Sequence, residues 1–109
     1  MPDQKIRGVI VPILTPLNSD ETVDTESLRR LVNYLIDNGV HGIWTSGTTG
    51  EFASLSNQQR LISMETVVDE VAGRVPIIGN VSMPSTQLSL QMALDVQEMG
   101  MDGVAKRIC

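Results

Sequence analysis

The chain has 109 residues, a length that supports one hydrophobic core and makes a second domain unexpected. Its apolar share of 41% and charged share of 19% are typical of a globular protein and argue against a disordered chain. The net charge of −5, without a basic cluster, argues against nucleic acid and anionic membranes as partners. No apolar stretch reaches the roughly 20 residues of a membrane-spanning helix, and the first residues lack the apolar run of a signal peptide, so we expect a cytoplasmic protein.

The first half of the chain predicts a strand, a helix and a second strand. Residues 9–14 form a near-continuous apolar and β-branched run, which is typical of a strand buried on both faces of a parallel sheet. Asp24 can cap a helix that ends at Gly39, and residues 42–45 predict a short strand that leads into a polar, glycine-bracketed segment. The inward positions of the helix are expected to be Leu28, Leu31, Val32, Leu35 and Ile36.

The second half repeats this order. Ser56 and Gln59 have the spacing of a capping box, which predicts a helix that ends at Gly73. Residues 76–81 predict a third strand, Ser85 or Thr86 can cap a third helix, and a fourth strand is expected to begin at residue 103. The inward residues of these two helices are expected to be Leu61, Met64, Val68 and Val71 in the first, and Leu88, Met92, Val96 and Met99 in the second.

Three times a helix ends at a glycine and a short buried strand follows within a few residues, which is the order of repeated βαβ units. The sequence therefore predicts the α/β class. An open doubly wound sheet and a closed (β/α)₈ barrel both fit this order, and hydrophobic periodicity does not separate them. The doubly wound sheet is the weaker option because no Gly-x-Gly-x-x-Gly motif follows the first strand.

The most informative segment is the loop Gly47-Thr48-Thr49-Gly50-Glu51 after the second strand. Its two glycines let the backbone approach a ligand, and its two threonine hydroxyls add donors beside exposed N–H groups, which suits a carboxylate or a phosphate. Loops at this end of barrel strands are where such folds keep their sites. The loop lacks the Lys-Ser/Thr ending of a nucleotide P-loop, so ATP is not expected. A tight strand-to-helix turn, in which the threonines satisfy local backbone groups, is the structural alternative.

The order of these segments resembles the dihydrodipicolinate synthase and N-acetylneuraminate lyase family. The resemblance covers about residues 8 to 105. It implies the N-terminal part of a TIM (β/α)₈ barrel, about three and a half βα units, truncated, with residues 1–109 as one partial domain and residues 106–109 as an atypical tail. The segments that carry the resemblance are the strand over 8–16, the helix start at 23–24, the turn over 35–42, the loop 47–51, Leu55-Ser56, residues 73–78 and Ser85-Thr86.

In such enzymes a lysine on a later barrel strand forms a Schiff base with pyruvate, and the ketimine is the electron sink for aldol addition or cleavage. The resemblance implies that Thr49 holds the pyruvate carboxylate and that Thr48 is a catalytic proton relay between tyrosines. Gly47 and Gly50 are expected to bring the backbone to the substrate, and Glu51 to brace the loop. No cofactor is expected. The parent is expected to be a homotetramer, and its second substrate stays open among aspartate semialdehyde, N-acetylmannosamine and other sugar-derived aldehydes.

The chain departs from the family pattern in its reactive residues. Its only lysines are Lys5 and Lys106, and neither matches the Schiff-base position. Its only tyrosine, Tyr34, falls among the apolar positions of the first helix, and residues 106–109 replace an expected apolar strand and Pro-Tyr-Tyr-like segment. We therefore expect an inactive N-terminal fragment, produced by a frameshift, splicing or truncation. A non-catalytic interaction module acting on full-length subunits is the alternative function, and an unrelated anion-binding α/β domain is the third.

The remaining residues that could carry chemistry have simpler structural interpretations. His41 is expected to be a solvent-facing turn residue, Trp44 to be core or helix-packing bulk, and Cys109 to be a bystander. Residues 82–85 could line the mouth of the site, although a helix cap is the simpler interpretation. No His, Cys or carboxylate cluster has the spacing of metal ligands.

Overall fold

The computed structural model describes residues 8–47, 50, 55–83 and 85–105. These residues form four strands and three helices in strict alternation, which confirms the α/β class and the predicted order of elements. The elements are β1 (Ile10–Pro12), α1 (Thr25–Asp37), β2 (Gly42–Thr45), α2 (Asn57–Val71), β3 (Ile77–Asn80), α3 (Thr86–Gln97) and β4 (Gly103–Ala105). In the described part of the chain, no helix combines the length and the apolar character needed to cross a membrane.

The strands form one parallel sheet in the order β1-β2-β3-β4. Each strand is added on the same side of its predecessor, and connections between parallel strands are right-handed, so the three helices lie on one face. A doubly wound sheet instead reverses its strand order and covers both faces. The uninterrupted order through four strands therefore favours the barrel over the doubly wound sheet.

The core lies between this sheet and its helices. Ile13, Ile43 and Ile77 point to the helix side, where Val32 and Val67 are among the residues that meet them. Burying an aliphatic side chain of this size stabilises the fold by about 1.5–3 kcal/mol relative to leaving it in water. A second cluster joins α2 and α3 at the end of β3 and contains Met64, Val81, Met92 and Val96.

The opposite face of the sheet is not covered by any described helix. Side chains alternate along a strand, and the register places Pro12, Trp44 and Ile78 together on this face. The prediction that the first strand is buried on both faces is wrong within the described residues, because Ile10 and Val11 are only half-buried and Pro12 is exposed. β1 forms one edge of the sheet and therefore has a neighbour on one side only.

Predicted caps begin all three helices. The side chains of Asp24, Ser56 and Ser85 each accept a hydrogen bond from the backbone N–H three residues later. The second hydrogen bond of the capping box, from the backbone N–H of Ser56 to the side chain of Gln59, was predicted wrongly. Gln59 Oε1 accepts instead from the backbone N–H of Val23, at 2.8 Å. This bond ties the start of α2 to the segment before α1, which no local sequence pattern could indicate.

One predicted inward position, Leu88, is wrong. Leu88 is exposed, and Ser89 is buried in its place with its Oγ accepting from the backbone N–H of Met83 at 3.0 Å. Tyr34 is also exposed although it falls among the apolar positions of α1. In α2 the fully buried stripe includes Val67, while the predicted Val68 is only partly buried. A helix face is set by its neighbours, and a shift of one residue turns it by about 100°.

Polar side chains join α1 to α2 on the outer surface. Arg29 Nη1 contacts Asp69 Oδ2 at 2.6 Å and Glu70 Oε1 at 3.1 Å. Asn33 Nδ2 donates to Glu70 Oε2 at 2.7 Å, and Arg74 Nη2 donates to Asn33 Oδ1 at 2.7 Å. Hydrogen bonds from Asn33 and from the Arg29 guanidinium hold the pKa of the Glu70 carboxyl below its ordinary value.

We predict that this carboxylate makes stability depend on acid. A carboxyl whose pKa is depressed in the folded state contributes stability above its unfolded pKa, and that contribution is lost as the pH falls through the folded value. Glu70→Gln should lower the free energy of unfolding near neutral pH. In this variant the free energy of unfolding should also decrease less steeply as the pH drops below about 4. Urea unfolding from neutral to acid pH is the measurement, with Glu65→Gln, an exposed carboxylate of the same helix, as control. A pH dependence of Glu70→Gln as steep as that of the control would contradict the assignment.

We also predict that the isolated 109-residue chain self-associates as a loosely packed oligomer. Within the described residues, the outer edges of β1 and β4 have no strand partner, and Pro12 and Leu14 expose apolar surface. Sedimentation velocity and amide exchange test this, and Leu14→Ser should reduce association more than Leu94→Ser on α3. A monodisperse monomer with slowly exchanging amides in all strands would contradict it.

Candidate functional site

The carboxyl ends of three neighbouring strands meet at one edge of the sheet. Thr15 lies three residues beyond β1, Ser46 and Gly47 follow β2, and Ser82 lies two residues beyond β3. All four are buried. This is the edge at which parallel α/β folds place their ligand sites, and Gly47, the first residue of the predicted loop, lies there.

Both glycines of the predicted loop are buried against neighbouring structure. A Cβ added to Gly50 would lie 3.0 Å from Thr15 Oγ1 and 3.1 Å from the carbonyl oxygen of Ile13. A Cβ added to Gly47 would lie 3.3 Å from Trp44 Nε1. Because Gly50 has no side chain, its backbone can lie against the end of β1. Because Gly47 has none, its backbone can lie close to the indole of Trp44 in β2. Thr48, Thr49 and Glu51 lie outside the described residues, and their predicted roles remain predictions.

Ser46, directly before Gly47, is held in an unusual conformation. Its φ is 61°, in the left-handed region that non-glycine residues rarely adopt, and its side chain is completely buried. Such a residue costs about 1–3 kcal/mol and persists only where its surroundings determine it. Here the Ser46 carbonyl accepts from Asn80 Nδ2 at 2.9 Å, and its Oγ accepts from Arg60 Nε at 3.3 Å.

Arg60 is a buried cation at this edge. It is only 2% exposed, and burial lowers its pKa from the ordinary value. Nη2 donates to the carbonyl of Asn80 at 2.8 Å, and Nη1 donates to the carbonyl of Ser82 at 2.8 Å. The Oγ of Ser82 in turn donates to Asn80 Oδ1 at 2.8 Å. We call Ser46, Arg60, Asn80 and Ser82 the Arg60 network.

The sequence analysis missed Arg60, although a signal was present. Met64, Val67 and Val71 are completely buried, and Arg60 lies four residues before the first of them, on the same stripe of α2. An arginine in line with a buried helical stripe indicates a buried charge with assigned partners. The predicted stripe was out of register by one residue near Val68, which hid this alignment.

Trp44 and His41 lie on opposite ends of β2 and differ in surroundings. Trp44 was expected to be core or helix-packing bulk. Ile43 faces the helices, so alternation puts Trp44 on the other face and excludes the second of these alternatives. Its Nε1 is buried and has no hydrogen-bond partner within the described part of the chain.

His41 is exposed at the amino end of β2, as predicted, and its Nδ1 accepts from the backbone N–H of Val9 at 2.8 Å. Among the described residues, no group of three or more His, Cys, Asp or Glu could hold a metal ion.

Comparisons with known proteins agree with this geometry. Residues 5–106 match the model of the Dihydrodipicolinate synthetase family. The chain is 40% identical over 98 residues to a 4-hydroxy-tetrahydrodipicolinate synthase of Pelobacter propionicus, covering 90% of this chain and 33% of that protein. It is 36% identical over 102 residues to an N-acetylneuraminate lyase of an Enterobacter species, covering 94% and 34%.

A solved structure with a similar fold is YagE, a prophage protein of the dihydrodipicolinic acid synthase family from Escherichia coli K12, in complex with pyruvate. Its TM-score is 0.87 at 27% identity, covering 91% of this chain and 33% of that chain. The present chain thus spans about a third of the length of the relatives it matches. Its fold is the N-terminal part of a TIM (β/α)₈ barrel. Because the family model covers residues 5–106 and the strand order is that of the barrel, the chain belongs to the dihydrodipicolinate synthetase family.

Proposed function

We propose that this chain carries the pyruvate-carboxylate-binding part of a Schiff-base-forming lyase or aldolase. The observation that supports this most directly is the anchoring of the predicted loop at both ends. Gly50 rests on the end of β1, and Ser46 is fixed by the ends of β3 and α2. Donors held in place before the substrate arrives stabilise charge without the cost of reorganisation.

In this proposal each loop residue acts by a simple interaction. Thr49 donates its hydroxyl and backbone N–H to the carboxylate of pyruvate. Thr48 relays protons, because a hydroxyl donates and accepts at once and needs no shifted pKa of its own. Gly47 and Gly50 bring the loop backbone close to the substrate, and Glu51 braces the loop. The similar YagE structure was solved in complex with pyruvate, and the relatives include both a 4-hydroxy-tetrahydrodipicolinate synthase and an N-acetylneuraminate lyase, so the proposal names pyruvate and leaves the aldehyde open.

The reacting amine in this proposal belongs to a later barrel strand. Lys5 and Lys106 do not match the Schiff-base position, so the 109-residue chain alone is proposed to be inactive. The complete enzyme is proposed to be a cytoplasmic homotetramer that needs no cofactor.

A second candidate function is a non-catalytic module that docks on full-length subunits. The sheet face formed by Pro12, Trp44 and Ile78 and the outer edge of β4 support it, because within the described residues no helix packs on that face and no strand pairs with that edge. Co-purification of the 109-residue chain with full-length subunits, combined with reduced lyase activity, is the outcome that would favour this candidate.

We predict that the isolated chain forms no Schiff base with pyruvate. Incubation with pyruvate and borohydride, followed by intact mass spectrometry, should show no stoichiometric adduct, because no lysine lies at the family position. The full-length Pelobacter propionicus relative is the positive control. A stoichiometric adduct on Lys5 or Lys106 would be incompatible with this proposal.

We predict that the two threonines have separable effects. The test protein is a hybrid in which residues 8–105 of this chain replace the matched segment of the Pelobacter propionicus relative. Thr49→Val should weaken pyruvate binding by about 1–3 kcal/mol, because it removes a donor to a charged group. Thr48→Val should lower kcat more than it raises KM, because a relay acts in the chemical step.

Steady-state kinetics of both variants is the measurement, with Thr25→Val, at an exposed threonine at the start of α1, as the matched control. Unchanged pyruvate affinity in Thr49→Val would show that the loop is only structural. A purely KM-related change in Thr48→Val would disprove the relay.

A further inference from the structure

We propose that Arg60 is a positioning residue for pyruvate binding: it fixes Ser46 in its left-handed conformation and thereby sets the direction in which the loop from Gly47 to Gly50 leaves β2. The inference rests on the proposed function of that loop. It assigns to Arg60 an effect on substrate affinity that is separate from its contribution to folding.

The first step in the argument is the cost of placing an arginine at this position. Met64 and Val67 continue the same stripe of α2 and are completely buried. An apolar side chain at position 60 would extend the core without removing a charge from water. The guanidinium is 2% exposed, so its presence requires a compensating use of its donors.

The second step is how those donors are used. Nε reaches the hydroxyl of Ser46 after β2, whereas Nη1 and Nη2 reach the carbonyls of Ser82 and Asn80 at the end of β3. A planar fork with fixed angles can span three acceptors in this way, whereas the donors of a lysine radiate from a single nitrogen. Arg60 therefore links the carboxyl ends of β2 and β3 through groups that a lysine could not contact together.

The third step connects this link to the loop. Asn80 donates to the Ser46 carbonyl and accepts from Ser82, so the Arg60 network is a closed ring of hydrogen bonds around Ser46. Ser46 has a φ of 61° and would relax towards negative φ if these contacts were lost. Rotation at this residue would redirect the chain at Gly47, and in the proposed function this change in the path of the backbone would weaken binding of the carboxylate.

The test uses Arg60→Lys in the hybrid enzyme, with Arg30→Lys as the matched control. Arg30 lies on the surface of α1, where it pairs with Glu26 at 3.0 Å. Arg60→Lys is expected to raise the KM for pyruvate about tenfold, as one misplaced hydrogen bond to a charged group would, with kcat changed less. Hydrogen exchange of the peptide over residues 46–50 is expected to accelerate, with α1 unchanged. The control should alter neither property.

Ser46→Ala is the milder second variant, because it deletes one buried oxygen and leaves the guanidinium in place. It is expected to change pyruvate KM and loop exchange in the same direction by a smaller factor. A lower melting temperature with unchanged KM and unchanged exchange over residues 46–50, in either folded variant, would overturn the positioning role. If the hybrid with Arg60 intact binds no pyruvate, the proposed function fails, whereas the exchange measurement still decides whether Arg60 positions the loop.

Discussion

Every connection between neighbouring strands of this parallel sheet has to cross back over the sheet, and here all three connections are helices on the same face. This constraint decides where the core and the site lie. Ile13, Ile43 and Ile77 meet the helices on one face, so the apolar interior is one-sided. Because each strand runs in the same direction, Thr15 and Ser46 emerge at one edge. The helical connections keep the strands parallel, and the candidate site therefore lies at the one edge where their carboxyl ends meet.

Helix α2 contributes side chains both to the hydrophobic core and to the carboxyl edge of the sheet. Met64, Val67 and Val71 pack against the sheet, while Arg60, at the amino end of the same stripe, bonds the ends of the strands. The desolvation cost of a buried guanidinium is large, and it is offset only when its nitrogens have well-placed acceptors. Each of the three nitrogens of Arg60 has one. The same hydrogen bonds hold Ser46 in a left-handed backbone conformation, which is strained for a residue with a side chain.

In our proposed function this edge of the sheet binds a carboxylate. Binding of that kind is favoured when the hydrogen-bond donors do not have to reorganise, and the buried positions of Gly47 and Gly50 limit the paths that the backbone can take. The chain spans about a third of its relatives, and in our proposal the reacting amine belongs to a later strand. Carboxylate binding and covalent chemistry would thus come from different parts of one barrel.

The sequence by itself determined what depends on short-range interactions: the order of elements, the caps at Asp24, Ser56 and Ser85, the family, and the position of the loop after β2. Caps bond within three residues and glycine stops act at a single residue, so a linear pattern contains them.

Only the tertiary structure decided what depends on residues far apart in the chain. Strand order distinguished the barrel from the doubly wound sheet. Gln59 bonds Val23 across 36 positions, and Arg60 bonds Ser82 across 22. Ser89, not Leu88, faces inward because Met83 supplies its partner. These choices follow from packing between distant segments, which no local pattern encodes.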